Sequence, residues 1–157
     1  GSGTIDGATT LLAGAHLAPG NSPGTITFSD GLTFAAGSIV DFELGAFSDL
    51  IRLTGGTLTG PSGTGGVTLN MFDSGGFAAG TYTLFDFATG GVVLADFDLT
   101  DFVFGTTIAG FDYSLGFAEN TLLLTATASA IPEPSTYAAL FGLFAFVFSA
   151  WQKRRCG

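Results

Sequence analysis

The chain is broken too often by turns to build long helices. From about Gly24 to Ala128, short β-type runs alternate with Gly-rich turns. The runs are Thr25–Phe28, Leu32–Phe34, Ile39–Leu44, Leu50–Leu53, Thr57–Thr59 and Val67–Phe72. They continue with Thr81–Phe87, Val92–Leu94, Phe102–Phe104, Phe111–Phe117 and Thr121–Thr127. Their starts lie 7 to 14 residues apart, the spacing of an all-β sandwich, barrel or β-solenoid. Thr, Val, Ile and Phe dominate the runs, because β-branched and aromatic side chains fit a pleated surface. No stretch before Ser135 has a helical period. In Ile39-Val40-Asp41-Phe42-Glu43-Leu44, Asp41 and Glu43 face one side while Val40, Phe42 and Leu44 face the other. Thr81–Phe87 alternates in the same way.

A weak repeat supports stacked units. Phe34-Ala35-Ala36-Gly37-Ser38 returns as Phe77-Ala78-Ala79-Gly80-Thr81, 43 residues later. Units of this kind bury an apolar face only by stacking on the next. Thirteen of the 17 Phe lie in this region and are the expected core. Gly is 25 of 157 residues, without the three-residue period of collagen. The chain opens Gly-Ser-Gly with no Met and no apolar signal region, which reads as the C-terminal piece of a longer precursor.

Charge divides the chain. Residues 1–134 hold all 13 acids and one base, Arg52, for a net charge of −12. The other three bases, Lys153, Arg154 and Arg155, crowd the end. With no basic patch to neutralise phosphates, nucleic acid is excluded as a partner. One cysteine, Cys156, excludes a disulfide framework and a thiolate metal cluster. Ser129–Thr136 is a linker in which Pro132 and Pro134 deny strand hydrogen bonds. Tyr137–Trp151 then runs fifteen residues without a charge. As a helix it spans only about 22 Å of an apolar layer near 30 Å, but Ser135–Gln152 reaches the 18-residue lower limit. Leu140, Phe141, Leu143, Phe144, Phe146, Val147 and Phe148 favour insertion by roughly 2 to 4 kcal/mol together. Tyr137 and Trp151 sit where interfacial aromatics belong, and the positive-inside rule places Lys153–Arg155 in the cytoplasm. The expected organisation is a β-repeat ectodomain (1–128), a linker (129–136), a transmembrane helix (137–152) and a basic tail (153–157).

Pro132-Glu133-Pro134-Ser135-Thr136, the apolar segment with Gly142, and Lys153-Arg154-Arg155 together resemble the PEP-CTERM sorting signal of Gram-negative bacteria. The match covers Ile131–Cys156, with all three parts in order. The resemblance implies export, transient anchoring in the inner membrane, and processing of the Pro-Glu-Pro region by an exosortase-type enzyme. It also implies a link to exopolysaccharide and the cell surface. Cys156 beside the membrane is a departure from the pattern and a possible acylation point. A second resemblance covers Leu17-Ala18-Pro19-Gly20-Asn21-Ser22-Pro23-Gly24-Thr25-Ile26-Thr27-Phe28, which is similar to a repeat of autotransporter passenger domains. Ser48–Leu53 and Gly80–Phe85 also look like the ends of such passengers. That resemblance implies a right-handed parallel β-helix. The expected fold is therefore all-β, a Gly-rich parallel β-helix or β-solenoid with a β-sandwich as the alternative, followed by one short transmembrane helix.

Three constellations suggest chemistry. Gly20-Asn21-Ser22-Pro23-Gly24 fits G-x-S-x-G, but that motif needs a helix behind the Ser, and a strand is expected here. The residues are those of a double turn. Asp96, Asp98 and Asp101 form a D-x-D-x-x-D cluster in which Asp96 and Asp98 share a strand face and are a candidate calcium site. Alternation with Phe97 and Leu99 equally fits a solvated strand face. Asp49 and Arg52, three apart, are the expected ion pair. Asn21, Asn70 and Asn120 fail the glycosylation rule. No catalytic or cofactor-binding residue is assigned. The expected function is a non-catalytic surface or extracellular-matrix protein. The alternatives are an adhesin or polysaccharide-binding module, using rows of Thr and aromatic side chains, and the tail of an extracellular enzyme whose catalytic domain lies upstream.

Overall fold

The computed structural model describes residues 2–20 and 23–130. The expected sorting motif Pro132–Thr136, the apolar segment Tyr137–Trp151 and the tail Lys153–Arg155 lie outside the described residues, as do Asn21 and Ser22. Among the described residues no helix is long and apolar enough to cross a membrane. What they form is all-β, with a single 3₁₀ turn at Leu99–Asp101.

Strands come in threes. The first unit is β1 (Gly3–Ile5), β2 (Thr9–Leu11) and β3 (His16–Leu17). The second is β4 (Thr25–Phe28), β5 (Leu32–Phe34) and β6 (Ser38–Gly45). The third is β7 (Leu50–Leu53), β8 (Thr57–Thr59) and β9 (Val67–Gly75), and the fourth β10 (Gly80–Asp86), β11 (Val93–Ala95) and β12 (Phe102–Phe104). Each unit adds one parallel strand to each of three sheets, ordered β1-β4-β7-β10, β2-β5-β8-β11 and β3-β6-β9-β12. A hairpin of β13 (Phe111–Ala118) and β14 (Thr121–Ala128) follows, and β14 pairs antiparallel with β10 to extend the first sheet.

The register shows why no fixed period is visible in the sequence. Gly3 faces Ile26, Thr9 faces Leu32 and His16 faces Ile39, each 23 residues on. Two units later Ile51 faces Phe85, Thr57 faces Val93 and Val67 faces Phe102, steps of 34 to 36 residues. The strands keep their alignment while the corners lengthen. The 43-residue repeat is therefore not the structural unit. Its first copy leads from β5 into β6 and its second from β9 into β10, which belong to different sheets.

Alternation sets the core. Along β6, Ser38, Val40, Phe42 and Leu44 are buried while Ile39, Asp41 and Glu43 look outward. Strand β10 departs from the expected pattern. A β-bulge between Thr83 and Phe85 puts Leu84 and Phe85 both fully inside, since an extra residue breaks the period of two. Phe85 is the hub: its ring packs edge-on against Phe34 and Phe42 at 6.0 Å and against Phe97 at 5.7 Å. The expectation that Phe builds the core holds for Phe28, Phe34, Phe42, Phe85, Phe87, Phe97 and Phe102, whereas Phe47 is 81% exposed. The hairpin covers one end of this core with Leu122 and Leu124, both fully buried. Phe77 stacks on Tyr82 and meets Phe111 edge-on, each at 4.9 Å, which fastens the hairpin to β10.

Corners are where glycine is required. Gly31, Gly56 and Gly90 sit one above another after the first-sheet strands, all with positive φ. A Cβ on Gly56 would overlap the Asp30 carbonyl group. Stacked corner backbones leave no room for a side chain, and the left-handed φ excludes one on its own account.

Candidate functional site

A cavity lies over the fourth unit. It has a volume of about 410 Å³ and is lined by Pro61, Ser62, Gly63, Thr64, Asp96, Asp98, Thr100 and Asp101. Two loops build it: the Pro- and Gly-rich corner between β8 and β9, and the segment from β11 into the 3₁₀ turn. This is where the sequence-expected Asp96, Asp98 and Asp101 are found, but not on the strand face expected for them. Strand β11 ends at Ala95, so Asp96 and Asp98 do not share a strand face. Asp96 turns the chain with φ +49°. Asp98 caps the 3₁₀ turn, accepting from the Thr100 N–H at 2.7 Å and the Thr100 hydroxyl at 2.6 Å. Asp101 closes the capping box by accepting from the Asp98 N–H at 2.8 Å. Among the described residues no three acidic, His or Cys side chains form a metal-holding group.

Asp98 and Asp101 therefore differ in proton affinity. The Thr100 hydroxyl and N–H hold Asp98 below the usual carboxylate range. Asp101 is only 2% exposed, and burial pushes its carboxyl up. The Asp98 N–H opposes that shift, while the charges of Asp98 and Asp96 add to it. The cavity offers acceptors on Asp96 and Asp98 beside the hydroxyls of Ser62, Thr64 and Thr100. That chemistry suits a ligand rich in hydroxyl groups.

The expected Asp49–Arg52 pair is not formed. Arg52 Nε instead donates to Asp86 at 3.1 Å, one unit along the same sheet. Asp49 is 3% exposed, and its two oxygens accept from the N–H groups of Gly24 and Glu43, both at 2.8 Å. It thus ties the corner before β4 to β6. Burial raises its pKa, with the two backbone N–H groups opposing.

Gly20-Asn21-Ser22-Pro23-Gly24 leads directly into strand β4, not a helix, so the elbow geometry that exposes a nucleophilic Ser is absent at its C-terminal side. One constellation escaped sequence reasoning. His16 Nδ1 lies 2.6 Å from Asp41, Asn70 Nδ2 donates to the other Asp41 oxygen at 2.7 Å, and Asn70 Oδ1 accepts from the Thr106 N–H at 2.8 Å. This polar chain crosses the third sheet. Outward positions in alternating strands were its only signal, and it needs the register to be seen. No family model matches the chain, and no curated protein matches it.

Proposed function

We propose that this chain is a non-catalytic, exported cell-surface or extracellular-matrix protein whose C-terminus is a sorting and membrane-anchoring signal. The β region is read as a three-sided parallel β-solenoid of four coils closed at one end by a hairpin, right-handed as the passenger resemblance implies. Parallel pairing of strands three apart supports that reading over a sandwich, whose strands pair antiparallel through hairpins. The observation that carries the function is the order of three parts in one 24-residue stretch: Pro132-Glu133-Pro134, a charge-free apolar segment, then Lys153-Arg154-Arg155.

The design has a physical logic. The prolines hold an extended strip at the outer membrane face, open to a processing enzyme. The apolar helix fixes its depth, and the basic end fixes orientation. The protein passes once through the inner membrane, with residues 1–134 outside, and reaches the surface or the medium after an exosortase-type enzyme acts. Replacing Pro132, Glu133 and Pro134 by alanine should abolish processing and surface release while the precursor still inserts. Unchanged cleavage sinks the sorting reading.

A second reading is a polysaccharide-binding module. The hydroxyl- and carboxylate-lined cavity favours it, as does Phe47 standing in water beside a 220 Å³ hollow with Pro23 and Ser74. Titration with the producer's own exopolysaccharide tests it, and no binding at millimolar sugar rejects it.

A further inference from the structure

The cavity over the fourth unit has walls that the backbone ties together at both ends. The Gly60 N–H donates to the Ala95 carbonyl at 3.0 Å, and the Gly65 N–H donates to the Thr100 carbonyl at 2.7 Å. Between these two bonds, Pro61–Thr64 line the cavity from one loop, and Asp96, Asp98 and Thr100 from the other. Asp101 is the buried carboxylate of the lining. Gly60 lets the two loops meet. A Cβ there would overlap the Asp96 carbonyl and the Asp101 carboxylate.

Asp101 is the residue that calls for a ligand. Its Oδ2 accepts from the Asp98 N–H, and no described donor reaches its Oδ1. Ser38 Oγ is the one sealed side-chain polar atom without a hydrogen bond among the described residues. The Asp101 Oδ1 is therefore not sealed, and it keeps an opening to the cavity that Asp101 lines. Buried carboxylates are normally paired with a cation or saturated with donors. Asp101 has neither. No Lys, Arg or His lines the cavity, and Arg52, the one Lys or Arg among the described residues, is bound to Asp86. Asp96 and Asp98 add two more carboxylates to the lining, and only one Asp98 oxygen is taken up by Thr100. Burial pushes the Asp101 carboxyl up, and the charges of Asp98 and Asp96 add to that shift. A positive group in the cavity supplies the missing counter-charge.

We propose that this cavity binds an amino sugar through its ammonium group; the inference rests on the polysaccharide-binding reading given above and names the class of sugar. An ammonium carries N–H donors and no acceptor, which matches a lining of carboxylate oxygens open at Asp96, Asp98 and Asp101. Hydrogen bonds between such charged partners are about twice as strong as neutral ones. The hydroxyls of Ser62, Thr64 and Thr100 stand beside the carboxylates and suit the ring hydroxyls of the same sugar. A volume of about 410 Å³ is that of a small-ligand cleft. Selectivity follows from charge. A uronic acid meets three like charges and is rejected, while N-acetylation removes the positive group and leaves the buried carboxylate unpaired.

The test titrates the full chain in detergent by calorimetry at about pH 6, where carboxylates and amino groups are both charged. The probes are a glucosamine disaccharide, its N-acetylated form, a glucose disaccharide, spermidine and the producer's own exopolysaccharide. The glucosamine disaccharide should bind about tenfold or more tighter than the other two disaccharides. Asp101→Asn keeps an oxygen for the Asp98 N–H while removing the charge, and should erase that preference. Asp96→Asn changes an exposed residue at a positive φ that Asn tolerates, and should weaken the amino sugar several-fold with unchanged circular dichroism. Asp112→Asn, exposed on β13, should leave binding as it is. Exopolysaccharide binding without a preference for the glucosamine disaccharide overturns the amino-sugar assignment alone. Binding of neither overturns the polysaccharide reading with it. Equal losses in Asp96→Asn and Asp112→Asn, or spermidine binding as tightly as the disaccharide, show general attraction to a −12 surface and also overturn the assignment.

Discussion

Asp49 shows how far one side chain can reach in a fold made of stacked corners. Its two oxygens satisfy two backbone N–H groups on separate strand segments, and no other described side chain does this from within the buried set. Asp49→Ala leaves both donors unsatisfied and should cost about 2–4 kcal/mol in urea denaturation. Asp49→Asn should cost nearly as much, since its amide nitrogen must face one of the donors. Burial raises the pKa of Asp49 and of Asp101 above 3.8, the ordinary value. A raised folded pKa means that the folded state binds the proton more tightly. Their contribution is fully present below 3.8 and is lost as pH rises through the folded values. Thermal midpoints should therefore hold or climb from about pH 6 to pH 4.5, and the climb should shrink in Asp49→Asn/Asp101→Asn. Asp98 runs the other way, since its depressed pKa gives stability that disappears only under stronger acid. A steep fall in the thermal midpoint of the parent chain on acidification from about pH 6 to pH 4.5 contradicts the buried-carboxylate account.

At the scale of elements, strands were far more legible than corners. Thr25–Phe28, Leu32–Phe34, Leu50–Leu53, Thr57–Thr59 and Phe102–Phe104 occur with the boundaries read from sequence. Each has its turn residues beside it and an apolar residue to bury. The strands β1, β2 and β3 were not anticipated. Gly3–Ile5 is exposed throughout and His16–Leu17 is two residues long, so neither shows a period. Parallel pairing with the next unit makes them strands. The corner column should be intolerant of any side chain. Gly56→Ala should destabilise by about 2 kcal/mol or more, through the contact with Asp30 and the positive φ together. Gly80→Ala, with open space around it and no positive φ, should change stability by less than about 0.5 kcal/mol. In the core, Phe85→Ala removes the ring that four other Phe rings touch and should cost about 3–5 kcal/mol. Arg52→Ala should cost under about 1 kcal/mol, since the ion pair with Asp86 is half in water. Chemical denaturation of the four variants orders them directly.

For the whole molecule, the hairpin β13–β14 is the element that covers the β10 edge of the first sheet. Deleting Phe111–Ala128 uncovers the β10 edge together with Leu84 and Phe85, and should produce dye-binding, aggregating material rather than a shorter stable protein. Charge distribution works at this scale too. The −12 of residues 1–134 keeps a Gly- and Phe-rich surface apart from its neighbours. What the sequence determined by itself was the class of structure and the division of the chain. Frequent turns forbid helices before Ser135, alternation fixes which side chains face inward, and a charge-free segment with a basic end is a local property of composition. Only the tertiary structure decided what meets what. Arg52 chose Asp86 over the nearer Asp49, the acidic cluster became a capping box, and the 43-residue repeat fell on two different sheets. Each outcome depends on register across units of 23 to 36 residues, and register is set by corner lengths that bury the whole core at once.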